Sequence, residues 1–121
     1  MAKYGNWFEN AAKVLGNKTL YSEISVGAGG TIDLSYNVNY VDDAITIPDG
    51  TESGQRVRLI ADLAGPAVIT GNFYATYNTL TLAGPLSGGV ELVWTTVGAG
   101  QAGNWMIIGA VDGTQIALST V

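Results

Sequence analysis

Four carboxylates crowd one short stretch of this chain, Asp42 and Asp43 in "NYVDD" and then Asp49 and Glu52 in "PDGTES". Paired acids can hydrolyse a glycosidic bond when their surroundings push the two pKa values apart, so this cluster is the one candidate for catalysis. Solvated turns of a β-protein carry the same residues without any chemistry, and the Pro48-Asp49-Gly50 turn signal favours that use. A calcium site would need six to eight oxygens, and neither loop has the EF-hand alternation of Asp and Asn closed by a bidentate Glu. The chain has no histidine and no cysteine. Imidazole acid–base chemistry, Ser-His-Asp and Cys-His nucleophiles, His- or Cys-ligated zinc and disulfides are therefore excluded. "GAGG" at 27–30 leads into neither a helix nor a Gly-Lys-Ser/Thr signature, so it reads as a hairpin turn and not as a phosphate loop. The expectation is a non-enzymatic protein with no metal and no cofactor.

Aromatic residues offer a different chemistry. "NFYATYN" gathers Phe73, Tyr74 and Tyr77, while Tyr36 and Tyr40 flank Asn37 and Asn39. Planar rings beside amides are what a sugar-binding platform uses, which makes Tyr36, Tyr40, Tyr74 and Tyr77 candidate glycan contacts. Packing within a protein or at an interface is the competing use of the same rings.

The net charge of -5, with only five basic residues, argues against nucleic acid and against anionic membranes, both of which require clustered Lys and Arg. No stretch approaches the ~18 apolar residues of a membrane span, and the start of the chain lacks the apolar core of a signal peptide, so a soluble protein is expected. The charge is unevenly spread. Lys3, Lys13 and Lys18 face only Glu9 in the first eighteen residues, whereas the rest of the chain is strongly acidic.

The elements that must position these residues fall into two parts, 1–18 and 19–121. "GNWFENAAKVLGNK" predicts one short helix, with Asn6 as N-cap, Glu9 three residues on and Gly16-Asn17 as the stop. Trp7, Ala11 and Val14 share one side, with Phe8 adjoining. So short a helix does not persist alone in water and must pack on its own domain or on another protein. From Thr19 onward come short β-prone runs. "TIDLSYNV" alternates Ile32, Leu34, Tyr36 and Val38 against polar residues and predicts a half-buried strand; "QRVRLIA" sets Val57, Leu59 and Ala61 opposite Arg56, Arg58 and Ile60. "TLYSEISV", "AITIPDG", "AVITG", "NTLTLAG", "GVELVWTT", "NWMIIGA" and "TQIALSTV" supply the others, punctuated by Gly and Pro. About eight strands with no helix between them predict an all-β, jelly-roll-like sandwich or barrel, with no period that would suggest a solenoid or propeller.

The last third is apolar on both faces of its strands. Val93 stands opposite Leu92 and Trp94, and Met106 and Ile108 stand opposite Trp105 and Ile107. A free sandwich alternates apolar-in with polar-out, so Val93, Met106 and Ile108 are expected at an interface between subunits, with a threefold arrangement able to hide edges as well as faces.

Four segments carry a resemblance: Ile45 to Pro48, Gly54 to Leu59, Ile69 to Gly71, and Asn104 to Gly109. Their order resembles the compact β-module of tailed-bacteriophage virion proteins, found in capsid decoration (cement) proteins, head fibres and tail-fibre tips, and the likeness covers about residues 44 to 110. It implies a homotrimer of β-sandwich or jelly-roll subunits on a virion, with no enzyme activity. With only a short helix ahead of the β-domain there is no fibre shaft, so the expectation is a capsid decoration protein, made in the host cytoplasm and placed on the capsid surface. Its partners would be itself and the major capsid protein, contacted through Lys3, Trp7, Phe8, Lys13 and Lys18 of the N-terminal arm and through Arg56 and Arg58. The alternative is a fibre-tip module recognising host-surface glycan through the four tyrosines.

Overall fold

The computed structural model describes residues 22–61, 66–83, 89–96, 102–111, 113 and 116–121. The expected helical arm lies outside the described residues, and Lys3, Trp7, Phe8, Lys13 and Lys18 with it. The strands are β1 (Glu23–Val26), β2 (Val38–Val41), β3 (Ala44–Thr46), β4 (Arg56–Ala61), β5 (Ala67–Thr70), β6 (Thr79–Leu82), β7 (Val90–Thr95), β8 (Asn104–Ala110) and β9 (Ile116–Ser119). They build the expected all-β sandwich from a five-stranded sheet, β1-β2-β4-β7-β8, and a four-stranded sheet, β3-β5-β6-β9.

The inward residues of both sheets make one core. Val41, Leu59, Ala61, Ile69, Leu80, Leu82, Leu92 and Trp105 are wholly buried. Strand β4 shows how alternation produces this, since Val57, Leu59 and Ala61 point inward while Arg56 and Arg58 stay in solvent.

Connectivity differs from the antiparallel pairing of a jelly roll in the first half of the chain. Strands β1, β2 and β4 pair in parallel, and so do β3 and β5. Parallel neighbours cannot be joined by a hairpin and need a crossover. Between β2 and β4, and between β3 and β5, the crossover is a strand of the opposite sheet, and between β1 and β2 it is the isolated Thr31–Thr46 bridge, so the chain winds alternately between the two layers before β6 to β9 close the sandwich with antiparallel pairs.

Two local expectations are corrected by this winding. The "GAGG" segment turns, with the Gly30 amide donating to Gly27 O, but it makes no hairpin. It carries the chain from β1 to the edge of the other sheet, where Thr31 bridges Thr46 in parallel and the Ile32 amide donates to Thr46 O. The predicted strand over 31–38 is likewise absent as such: only Val38 belongs to a strand, and 34–37 is a turn. The carboxylate of Asp33 accepts from both the amide and the hydroxyl of Ser35, and the Tyr36 amide donates to Asp33 O, so local bonds compete successfully with extension.

Candidate functional site

The acids fail to converge. Asp42 and Asp43 follow β2, whose last residue Val41 pairs with Ala61 at the end of β4, whereas Asp49 and Glu52 precede β4 at its start. The length of β4, about 17 Å for six residues, separates the two groups. Asp43 adopts a positive φ of 51° and its carbonyl accepts from the Val68 amide, a turn role between β2 and β3. Among the described residues no group of three or more His, Cys, Asp or Glu is placed to hold a metal ion.

The tyrosines also separate. Tyr40 lies on the outer face of β2, while Tyr74 opens and Tyr77 caps a 3-10 turn, Tyr74–Thr76, on the connection between β5 and β6. That connection bridges to β8 through Phe73 and Trp105. Strands β2 and β8 are three positions apart in the sheet, about 14 Å. Tyr74 and Tyr77 do form an edge-to-face pair, with centroids 6.1 Å apart, but Tyr77 packs against the core. The amides expected beside them are structural. Asn39 is fully buried, its Oδ1 accepting from the Asp33 amide at 3.0 Å and its Nδ2 donating to Asp33 O at 3.1 Å. Asn72 donates to Gly103 O, and Asn78 holds Val121 by two bonds, Nδ2 to O and N to Oδ1.

What the fold does assemble is the outer face of β4, β7 and β8. Register places Arg56 beside Val93 and Val93 beside Met106, so residues expected on two separate surfaces stand in a single row. The next row runs from Arg58 to Glu91 to Gly109. Glu91 joins the two arginines, accepting from Arg58 Nε at 2.6 Å and lying 3.6 Å from Arg56 Nη1. Both guanidinium side chains remain two-thirds exposed, so this ion pairing is screened and contributes roughly 0–1 kcal/mol. Met106 is 40% exposed, Ile108 47% and Val111 76%. A shift in register between Glu91 and Leu92 bulges β8 and presents Ile108 outward.

Two shallow grooves border the Arg58–Glu91 pair. One, of about 450 Å³, is lined by Ser22, Glu23, Asn37, Val38 and the two arginines among others; the second, of about 340 Å³, runs past Ile60, Gly89 and Val111. Glu91 is the residue that sequence reading missed. Its outward position follows from alternation with Leu92, but its pairing with Arg58 depends on the register of β4 against β7, which no local pattern encodes. The arrangement sets the charged Arg56, Arg58 and Glu91 beside the apolar Val93, Met106 and Ile108 on one outward face. No family model matches this chain, and no curated protein matches it.

Proposed function

We propose that this chain is a non-enzymatic structural protein of a tailed-phage virion, a decoration protein that binds the capsid shell and stabilises it as a homotrimer. The observation that carries the reading is the outer face of β4, β7 and β8. Val93, Met106 and Ile108 stand there beside Arg56 and Arg58, on a sheet whose inner face already has a complete core. A face with that composition gains by being covered, each buried Å² of apolar surface contributing on the order of 25 cal/mol before ordering costs. The order of the four resembling segments supports a virion setting, and the separation of Tyr40 from the Tyr74–Tyr77 pair supports a structural role over glycan recognition.

Such a protein works by tying shell subunits together against outward pressure from packaged genome. The N-terminal lysines, with Trp7 and Phe8, supply the arm that reaches the major capsid protein. The test is co-sedimentation of purified protein with undecorated capsids, alongside a glycan array. Saturable capsid binding and a blank array support the proposal; glycan binding without capsid binding replaces it with the fibre-tip reading. Undiminished capsid binding after deletion of residues 2–18 would refute the arm alone.

A further inference from the structure

The two layers are stacked strand over strand, β1-β2-β4-β7-β8 above Thr31-β3-β5-β6-β9, so β8 and β9 are the last strands of their sheets and share one flank of the sandwich. Among the described residues nothing pairs with the outer edge of either, except at Trp105, whose amide donates to Asn72 O. That bond shows how the β8 backbone is turned. Trp105 points its amide away from β7, so Ile107, two residues on, does the same; the Val111 amide donates to Gly89 O on the β7 side, which leaves that of Ala110 facing the open edge. The inner side chains of this flank are incompletely covered as well. Ile107, Ile116 and Leu118 pack on the core but are only partly buried, whereas Leu80, Leu82 and Leu92, one strand further in, are wholly buried. Edge strands are ordinarily guarded by lysine, proline or an added charge. Residues 104–121 contain no lysine, arginine or proline and one charged side chain, Asp112, while the opposite flank carries Glu23 on β1 and Asp33 just past Thr31.

We infer that the β8/β9 flank is a joint between two copies of this chain, related by a twofold axis normal to the sheets, with β8 antiparallel to β8 of the second copy and β9 antiparallel to its β9. The presence of two open edges on one flank selects this occupant. Stacked sheets lie about 10 Å apart, so a single extended peptide completes one edge and leaves the other open. A helix, whose backbone groups are bonded internally, completes neither. A second copy brings two edges at the same spacing, and one rotation makes both pairs antiparallel. An isologous contact sets each patch against itself, which is costly for a charged surface and favourable for an apolar one. No residue of β8 or β9 is charged, so Ile107, Ile116 and Leu118 are covered with no like charges opposed on these strands. The outward amides fix the register: Ile107 meets Ala110 of the second copy, Ile108 and Gly109 lie nearest the axis, and Asn72 and Phe73 beside Trp105 stay clear of the joint. This contact goes beyond the homotrimer of the proposed function, which covers the outer face of β4, β7 and β8; with both contacts made, trimers join in pairs.

The test is native mass spectrometry combined with oxidative cross-linking; the chain has no cysteine, so one introduced thiol reports one contact. The parent is expected at an even copy number, about 25 kDa or, with the trimer formed, about 75 kDa from a 12.5 kDa chain, and unchanged between about 20 mM and 0.5 M salt because the joint pairs no charges. Ile108→Cys, beside the axis, is expected to cross-link into a covalent dimer, while Ser25→Cys, exposed on the β1 edge, is expected to remain uncross-linked. Ile108→Lys places a guard on the edge, and Ala110→Pro removes an amide for which the described residues supply no acceptor; each is expected to halve the parent mass, with circular dichroism establishing that it is folded. Val93→Lys, one strand in from the edge on the outer face, is expected to leave the Ile108→Cys cross-link intact. A parent of odd copy number, equal cross-linking of Ser25→Cys and Ile108→Cys, folded Ile108→Lys and Ala110→Pro variants at the parent mass, or loss of the cross-link with Val93→Lys would overturn the inference. An even-numbered protein that ignores undecorated capsids would sink the decoration role and leave the joint standing. Capsid binding by a parent of odd copy number would do the reverse.

Discussion

Trp94 and Trp105 face each other across β7 and β8 as direct cross-strand partners, edge to face, with ring centroids 5.3 Å apart and planes inclined at 66°. Both are buried, and the pair does more than fill volume. Trp105 Nε1 donates to Pro48 O at 3.0 Å, and its backbone amide donates to Asn72 O. Trp94 holds Gly54 and Gln55 through its own backbone. The two tryptophans thus fasten the β3–β4 loop and the start of the β5–β6 connection to one end of the sandwich, where Trp105 is a wholly buried structural plug.

Replacing Trp105 by Phe leaves a void and strips the Pro48 carbonyl of its donor. Lost packing together with a partly buried acceptor left without its donor is expected to cost about 2–4 kcal/mol in urea or thermal unfolding. A local effect should accompany the global one: amides of 51–55 are expected to exchange faster with solvent than those of β4. Unchanged protection in that loop would show that Trp105 does not fasten it.

Trp94 is wedged between two glycines. A Cβ on Gly103 would come within 2.5 Å of Trp94 Cζ2, and one on Gly50 within 2.2 Å of Trp94 Cγ. Gly103 also has a φ of +111°, which an L side chain adopts only under strain. Gly103→Ala is expected to destabilise by about 2–4 kcal/mol through overpacking and backbone strain combined. Gly109→Ala, in open space on β8, is the matched comparison and is expected within about 0.5 kcal/mol of the parent. Equal stability of the two variants would refute the wedge.

Alternation made β4 and β7 legible in sequence because each of their residues follows the pleat, Val57 and Leu92 inward, Arg58 and Glu91 outward. The same pattern failed at 31–38. Ile32, Leu34 and Tyr36 alternate as well as any strand, yet the conformation is decided by Ser35 on Asp33 and by Asn39 reaching back across six residues. A pattern of apolar residues does not record such polar competition. Parallel winding was invisible for a related reason: turn residues say where a strand stops, while which sheet receives the next one is settled by the whole core. The adjacency of Arg56 and Met106 was hidden too, since two registers, β4 on β7 and β7 on β8, must be known before they share a row.

Asn39 gives a third prediction. Its amide satisfies both the N–H and the C=O of Asp33 from a fully buried position. In Asn39→Asp the carboxylate can still accept from the Asp33 amide but meets the Asp33 carbonyl oxygen without a donor, and burial disfavours its charge. The variant is expected to lose about 2–4 kcal/mol at pH 7. Burial raises the folded pKa of the introduced carboxyl above its unfolded value near ~3.9, so the loss should shrink as the pH is lowered toward ~4. A penalty that stays constant from pH 7 to pH 4 would contradict the burial argument.

Asp33 behaves in the opposite sense. The hydroxyl and amide of Ser35 both donate to its carboxylate and hold it below the usual carboxylate range, the hydroxyl making the larger contribution. A folded pKa below the unfolded one means that the unfolded chain binds the proton more readily. The stabilisation is therefore complete above the unfolded value of about 3.9 and is lost as pH falls through the folded value. Thermal unfolding from pH 6 down to pH 2 should show the parent losing Tm below about pH 4 more steeply than Asp33→Asn, in which the side-chain oxygen still accepts from Ser35 but does not titrate. The carboxylate is open to solvent, so the difference should be small at low salt and smaller still at high salt. Parallel Tm curves for the two proteins at low salt would mean that the Ser35 bonds set the shape of the 33–37 turn without linking its stability to protonation.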